Sequence, residues 1–240
     1  MRSRISLAIA SVATIALSAY GPPMAHAQNT GDHRTITASG RGEINVKPDL
    51  AILFFAVETT APTAASAGEQ NAAASTKVAA ALKSMLGKDD KLKTTRYSLQ
   101  PRYEMKREPG EPKILGYIAS NEVQVETAAI DAVGKLIDTA IAAGANRVNN
   151  LMFTVKDRNP YVRQALDQAG TEAKAQAEAA AKALDVRLKQ LLTATTMAPP
   201  IIMPRMHEGF GRAAMADTMT PVEPGEVAVS AELTVTYEIE

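Results

Sequence analysis

The stretch LAILFFAVET, Leu50–Thr59, holds the longest apolar run of the chain beyond its N-terminal region. Eight apolar residues from Leu50 to Val57, rich in branched and aromatic side chains, are too few for a stable helix and read as a central strand buried on both faces. Just before it, Lys47-Pro48-Asp49 reads as a turn. Thr35–Val46 precedes that turn as another strand, where Gly40 and Gly42 mark a bulge or a close approach of backbone. Downstream, Pro62–Leu86 has helical spacing, with Ala74, Val78, Ala81, Leu82 and Met85 on one face and Gly87 at its end. Leu92–Met105 and Ile114–Glu126 flank a Pro109-Gly110 turn and read as a long hairpin. In its second strand Val123 and Val125 point one way and Glu122, Gln124 and Glu126 the other. A helix follows over Ala129–Ala143, with Ile130, Val133, Ile137, Ala140 and Ile141 in one stripe and Gly144 just past it. Val148–Val155 closes the series as a strand. The order from Leu50 is therefore strand, helix, strand, strand, helix, strand, the split β-α-β order of a ferredoxin-like unit.

The remainder supplies a second layer. Asn159 is a good N-cap with Pro160 at the first helical position, so a helix is expected from there to about Leu184. Its apolar face is Val162, Ala165, Leu166, Ala169, Ala173, Ala177, Ala180 and Leu184, and Glu178 and Lys182 form an i,i+4 pair. So many alanines allow close packing, either on the chain's own sheet or on a helix of another subunit; the single apolar stripe favours the sheet. Arg187–Thr196 reads as a weaker strand. At the C-terminus Val227, Val229, Ala231, Leu233, Val235, Tyr237 and Ile239 alternate with Ala228, Ser230, Glu232, Thr234, Thr236 and Glu238, which predicts a strand with one buried and one wet face. The fold class is α+β: antiparallel sheets covered by helices, a ferredoxin-like βαββαβ unit over 49–156, and a second α/β subdomain from 34–48 plus 157–240. Within the latter, 197–225 has no period.

The chain begins as an exported protein does. Arg2 and Arg4 form a positive start, Ile5–Leu17 is apolar, and Ala25-His26-Ala27 has the small-x-small cleavage pattern. Residues 1–27 are thus expected to be a cleaved signal peptide and 28–33 a flexible start, with a periplasmic destination. The apolar run is shorter than the ~20 residues that span a bilayer. The chain has no cysteine, which excludes thiol chemistry and disulfides and suits an oxidising compartment. It carries 26 basic and 26 acidic side chains, a balance that gives nucleic acid nothing to recognise. No transmembrane span is expected beyond the N-terminal region.

Candidate chemistry is sparse. Beyond residue 27 the histidines are His33, in the frayed start, and His207, in the irregular segment, and neither follows a nucleophile-elbow pattern. HExxH and CxxC are both missing, so no zinc site is recognisable. Gly40-Arg41-Gly42 leads into a strand and offers a phosphate no helix N-terminus. Asp89-Asp90, among Lys88, Lys91 and Lys93, reads as a solvated turn. The speculative site is the Met/Pro-rich segment: Met203, Met206, Met215 and Met219 with His207 offer soft ligands suited to Cu(I). The same methionines suit reversible oxidation, or a loop that orders on assembly. No catalytic residue and no cofactor is assigned.

Several stretches taken together resemble the SIMPL-domain family of bacterial envelope proteins. They are Ser39-Gly40-Arg41-Gly42-Glu43 with Lys47-Pro48-Asp49-Leu50-Ala51, then Thr94–Tyr103, Gly116-Tyr117 with Asn121, Val133–Asp138, Ala143-Gly144-Ala145-Asn146 and Leu151-Met152-Phe153. Ala183-Leu184-Asp185-Val186 departs from the pattern, since the family often has a glycine pair there. The resemblance implies a periplasmic or surface-associated, non-catalytic protein. It also implies large ring-like or barrel-like homo-oligomers and a role in envelope or oxidative stress tolerance, and it leaves room for peripheral association with the outer membrane.

Overall fold

A computed structural model describes residues 34–104, 112–196 and 220–240, together with the backbone of 202–205. Strands β1 (Thr35–Val46) and β2 (Leu50–Ala61) are followed by helix α1 (Ala64–Lys83), strands β3 (Lys91–Tyr103) and β4 (Ile114–Thr127), a 3-10 turn at Ile130–Ala132, and helix α2 (Val133–Ala142). Then come β5 (Arg147–Thr154), α3 (Asn159–Ala183), β6 (Leu188–Thr196), β7 (Ile202–Arg205) and β8 (Glu226–Ile239). The strands form two antiparallel sheets. One has the order β3-β4-β2-β5. In the other, β8 lies between β1 on one side and β6 and β7 on the other. The protein is α+β, with three α-helices among the described residues.

In the first sheet, alternate residues of the central strand β2, Ala51, Leu53, Phe55 and Val57, are buried under α1 and α2 with Val78, Leu82, Val133, Leu136, Ile137 and Ala140. Among the described residues no helix covers the opposite face of β2, and Ile52 and Phe54 are only half buried. The expectation of burial on both faces holds for one face. The stripe on α1 holds the expected Val78 and Leu82, with Ala74 and Met85 partly buried against the same core, and it adds Ala67, Asn71 and Ser75 toward the start of the helix. Two polar residues lie in it because Asn71 Nδ2 donates to the carbonyls of Val57 (2.7 Å) and Ala119 (3.0 Å), while Ser75 donates to its Oδ1 (3.3 Å). On α2, Leu136 is buried and Ile141 is 51% exposed. The first residues of the expected helix, 130–132, are a 3-10 turn.

The second sheet is packed differently. Helix α3 lies on β1 and β8 through Ala165, Ala169, Ala173, Ala177 and Ala181, an i,i+4 ridge of fully or nearly fully buried alanines. Opposite this ridge stand Gly40 and Gly42. A Cβ on Gly40 would run into the carbonyl oxygen of Ala169, and one on Gly42 into that of Ala165. The register of β1 on β8 is unbroken from Thr35 to Val46, so these glycines serve close approach and not a bulge. The alanine stripe meets its own sheet, as its pattern favoured. Leu184 is 65% exposed and lies outside this contact.

Three local readings change. Asn159 is not the cap of α3: its own N–H is held by Asp157 Oδ1 (3.0 Å), and the helix begins one residue earlier than a cap at Asn159 would set. Glu178 pairs with Lys174 (3.8 Å), not with Lys182. The segment 197–225 contains a short strand, β7, whose residues Ile202–Arg205 pair with Val229–Glu226. Strand β8 is wetted less than its alternation predicts. Val227, Ala228 and Val229 are all buried, and Glu232 alone in the strand is exposed. A central strand is flanked on both sides, so its polar face is shielded by cross-strand neighbours: Thr236 lies between Thr37 and Thr193, and Thr234 between Ser39 and Thr195.

Candidate functional site

The helix-free face of the first sheet carries a shallow depression of about 310 Å³. The register explains it. Small residues, Ala56, Ser98 and Ser120, form the floor, and long polar ones stand round them: Arg96 opposite Glu122, and Arg147 across β2 beside Ala56. Glu58 is fixed by Asn146, whose side-chain amide accepts from the backbone N–H of Glu58 (2.9 Å) and donates to its carbonyl (2.7 Å). That amide extends the β2–β5 ladder past the end of β5. It holds Glu58 against Arg147, whose Nε lies 3.1 Å from Glu58 Oε2. Glu122 accepts from the Thr95 hydroxyl (2.9 Å) on one oxygen and from Asn149 Nδ2 on the other.

Both acids of the depression are therefore engaged. The groups left open include the Arg96 guanidinium and the Ser98 and Ser120 hydroxyls, and Gln100 and Ile118 complete the lining beside them. Such a surface can hold a small polar molecule through hydrogen bonds. A serine acts as nucleophile only beside a base, and the carboxylate nearest these serines on β4, Glu122, is committed to Thr95 and Asn149.

The residues singled out by chemistry in the sequence are elsewhere. Met203 is in β7, opposite Ala228. Met206, His207, Met215 and Met219 lie outside the described residues, as does His33. Among the described residues no group of three His, Cys, Asp or Glu side chains could hold a metal ion. Asp90 is more than a solvated turn: Oδ2 accepts from the Gly87 N–H (2.8 Å) and Oδ1 from that of Ala128 (3.1 Å), tying the α1–β3 turn to the end of β4.

The SIMPL family, described as a protein of unknown function (DUF541), matches residues 36–237. The chain belongs to that family. It is 30% identical over 239 residues to the 26 kDa periplasmic immunogenic protein of Brucella melitensis, covering 96% of each chain, and equally to that of Brucella abortus. It is 27% identical over 154 residues to the uncharacterized protein YggE of Escherichia coli K12, covering 62% of this chain and 60% of that one. None of these names states an activity. In this SIMPL chain the motif residues serve structure. Gly40 and Gly42 admit α3, Asn146 fixes Glu58, and Asp49 accepts from the Lys156 N–H (2.7 Å) while its own N–H donates to the Thr154 carbonyl (3.1 Å). The depression itself draws on Arg96, Glu122, Arg147 and Asn149. Outward alternation placed Glu122 on an open face, but only cross-strand register brings the four together.

Proposed function

We propose that this protein is exported to the periplasm through a cleaved N-terminal signal and acts there without catalysis, as a homo-oligomeric assembly. The periplasmic reading is supported by the Brucella relatives, whose names place them in that compartment. Among the described residues no helix is long and apolar enough to cross a membrane. The observation that carries the assembly reading is the pair of open edges on the second sheet. Strand β1 presents twelve residues whose outer side has no strand partner among the described residues. At the other edge, β6 is exposed along nearly its whole length, with Leu191 at 50% and Leu192 at 37%, and it contains no proline.

Soluble proteins usually blunt long sheet edges with charge, proline or a covering element. Here β1 carries only Arg41 and Glu43, already paired with each other at 3.6 Å, and β6 only Lys189. Pairing β6 of one copy with β1 of the next would extend the sheet across copies. Two different edges make a head-to-tail contact, which closes into a ring when the rotation per copy allows. Such a ring could serve envelope or oxidative stress tolerance as a passive structure.

Light scattering on a sizing column tests the assembly. We expect one discrete mass, many times that of the monomer, that falls when Leu191→Lys and Thr195→Pro blunt the β6 edge. A clean monomer for the unaltered protein at high concentration overturns the proposal.

A further inference from the structure

The depression on the first sheet holds two open charges of opposite sign. Register sets Arg96, Glu122, Ala56 and Arg147 in one row across the strands, and Ser98, Ser120 and Glu58 in the next. Of the four charged groups, Glu58 and Arg147 neutralise each other at 3.1 Å. The other two do not. Glu122 meets the Thr95 hydroxyl of β3 (2.9 Å) with one carboxylate oxygen and reaches across β2 to Asn149 with the other. Both partners are uncharged, so its negative charge is held in place without being neutralised. Arg96 stands opposite it in the register, yet makes no ion pair or hydrogen bond among the described residues. The bulge in β3 accounts for this. Thr95 is the extra residue between Thr94 and Arg96, and its hydroxyl occupies the carboxylate oxygen that an arginine there would take.

We propose that the depression binds a small zwitterion, with an ammonium and a carboxylate at the two ends of a short backbone, the chemistry that free amino acids and dipeptides share. The carboxylate would accept from the Arg96 guanidinium, whose planar fork matches it, and from the Ser98 hydroxyl in the next row. The ammonium would donate to Glu122, with the Ser120 hydroxyl beside it. Adjacent strands lie about 4.8 Å apart, a separation that a molecule of this length spans. The lining carries two arginines and two glutamates. An ion of a single sign therefore gains at one open charge and is repelled at the other. A neutral polyol neutralises neither, and no aromatic ring is among the described lining residues to stack on a sugar face. The volume of about 310 Å³ is at the small end for a ligand site. Much of the wall is also fixed beforehand, since Asn146 clamps the backbone of Glu58 at 2.9 and 2.7 Å and Asn149 and Thr95 hold Glu122. Binding then orders little besides Arg96, which lowers its entropic cost.

This site lies on the first sheet and does not depend on the assembly proposed from the edges of the second. Calorimetric titration of the protein with L-glutamine and with alanyl-alanine tests it, against propionate, propylamine and glucose as probes that lack one charge or both. We expect at least one of the two zwitterions to bind, about tenfold or more tighter than any of the three controls, as the loss of a charged hydrogen bond implies. Binding of L-glutamine alone assigns the site to free amino acids, and binding of alanyl-alanine alone assigns it to peptides. Arg96→Gln and Glu122→Gln should each weaken the bound zwitterion by about tenfold or more, with the far-ultraviolet dichroism unchanged. Arg96 is exposed and unpartnered, so its variant keeps the fold even where Glu122→Gln disturbs it. Silence from both zwitterions overturns the proposal, as does equal binding of propionate or propylamine, or undiminished binding by Arg96→Gln. A response to glucose alone would also overturn it and make the depression a polyol site.

Discussion

At the scale of single residues, two kinds of backbone requirement decide local geometry. Gly40 and Gly42 stand where any side chain would occupy the space of a helical carbonyl. Because both partners are backbone, neither can rotate away, and the helix must lift off the sheet. Gly40→Ala or Gly42→Ala should each cost about 3 kcal/mol or more, at the upper end of overpacking penalties. That corresponds to a fall in Tm of about 6–12 °C for a chain this long, readable by circular dichroism. Gly170→Ala is the control: its Cβ would meet only the Leu233 side chain at 3.5 Å, an ordinary contact. The converse case is Asp185, in the left-handed region at φ 53° where α3 ends and where the family pattern often has glycine. The Val186 N–H reaches the Ala181 carbonyl (3.0 Å) in the bond that closes such helix ends. Left-handed backbone costs a residue with Cβ about 1–2 kcal/mol, and glycine gives back about 0.4–1 in unfolded-state entropy. Asp185→Gly should therefore stabilise by roughly 0.5–1 kcal/mol, seen as a higher urea midpoint with unchanged slope.

At the scale of elements, α1 is held by a polar clamp within an apolar contact. Asn71 is fully buried and spans β2 and β4 through two carbonyls, with Ser75 completing its oxygen. Asn71→Ala removes three hydrogen bonds and strands the Ser75 hydroxyl, at a cost of about 2–4 kcal/mol. Ser75→Ala removes one bond and should cost about 1 kcal/mol; equal losses would show that the clamp is not the cause. This clamp also shows where sequence reading stops. Periodicity located every long element and the alternation of β8, because apolar spacing records which face meets a core. It left Asn71 and Ser75 off the α1 face because a buried Asn is chosen by two carbonyls on distant strands, and Asn71 and Val57 signal nothing to each other along the chain. It expected β2 to be buried twice because hydrophobicity does not say whether a second layer exists. The depression was hidden for the same reason. Arg96, Glu122 and Arg147 become neighbours only once β3, β4, β2 and β5 are in register, and register is a long-range property. The Met203–Met219 idea came from ligand chemistry alone, without a scaffold to fix the ligands.

At the scale of the whole molecule, the question is what makes two sheets unfold together, since each has its own helices and its own core. The chain crosses between them at few places. Asp49, at the turn from β1 to β2, holds the departing strand end at Thr154 and Lys156, so the outgoing and returning crossings are bonded side by side. The second tie is made by the segment that leads into β8. Asp138 of α2 accepts from the Thr220 N–H (3.1 Å) and hydroxyl (2.6 Å), Gly134 leaves room for the Thr220 carbonyl against α2, and Val222 packs on the core of the first sheet. Through β8 this anchor reaches both β1 and β6. Cooperativity should therefore depend on a few residues that belong to neither sheet. Residues 34–240 form one compact unit, so the unaltered protein should unfold in urea in a single transition, with tyrosine fluorescence and far-ultraviolet dichroism coinciding. Asp138→Ala with Val222→Ala removes the anchor while keeping every fully buried residue of both cores. The helical signal should then separate into two steps, because α3 belongs to one sheet and α1 and α2 to the other. If the double variant instead keeps one transition at a lower midpoint, the coupling must run through Asp49 and the crossing strands, and Asp49→Ala becomes the variant that splits it.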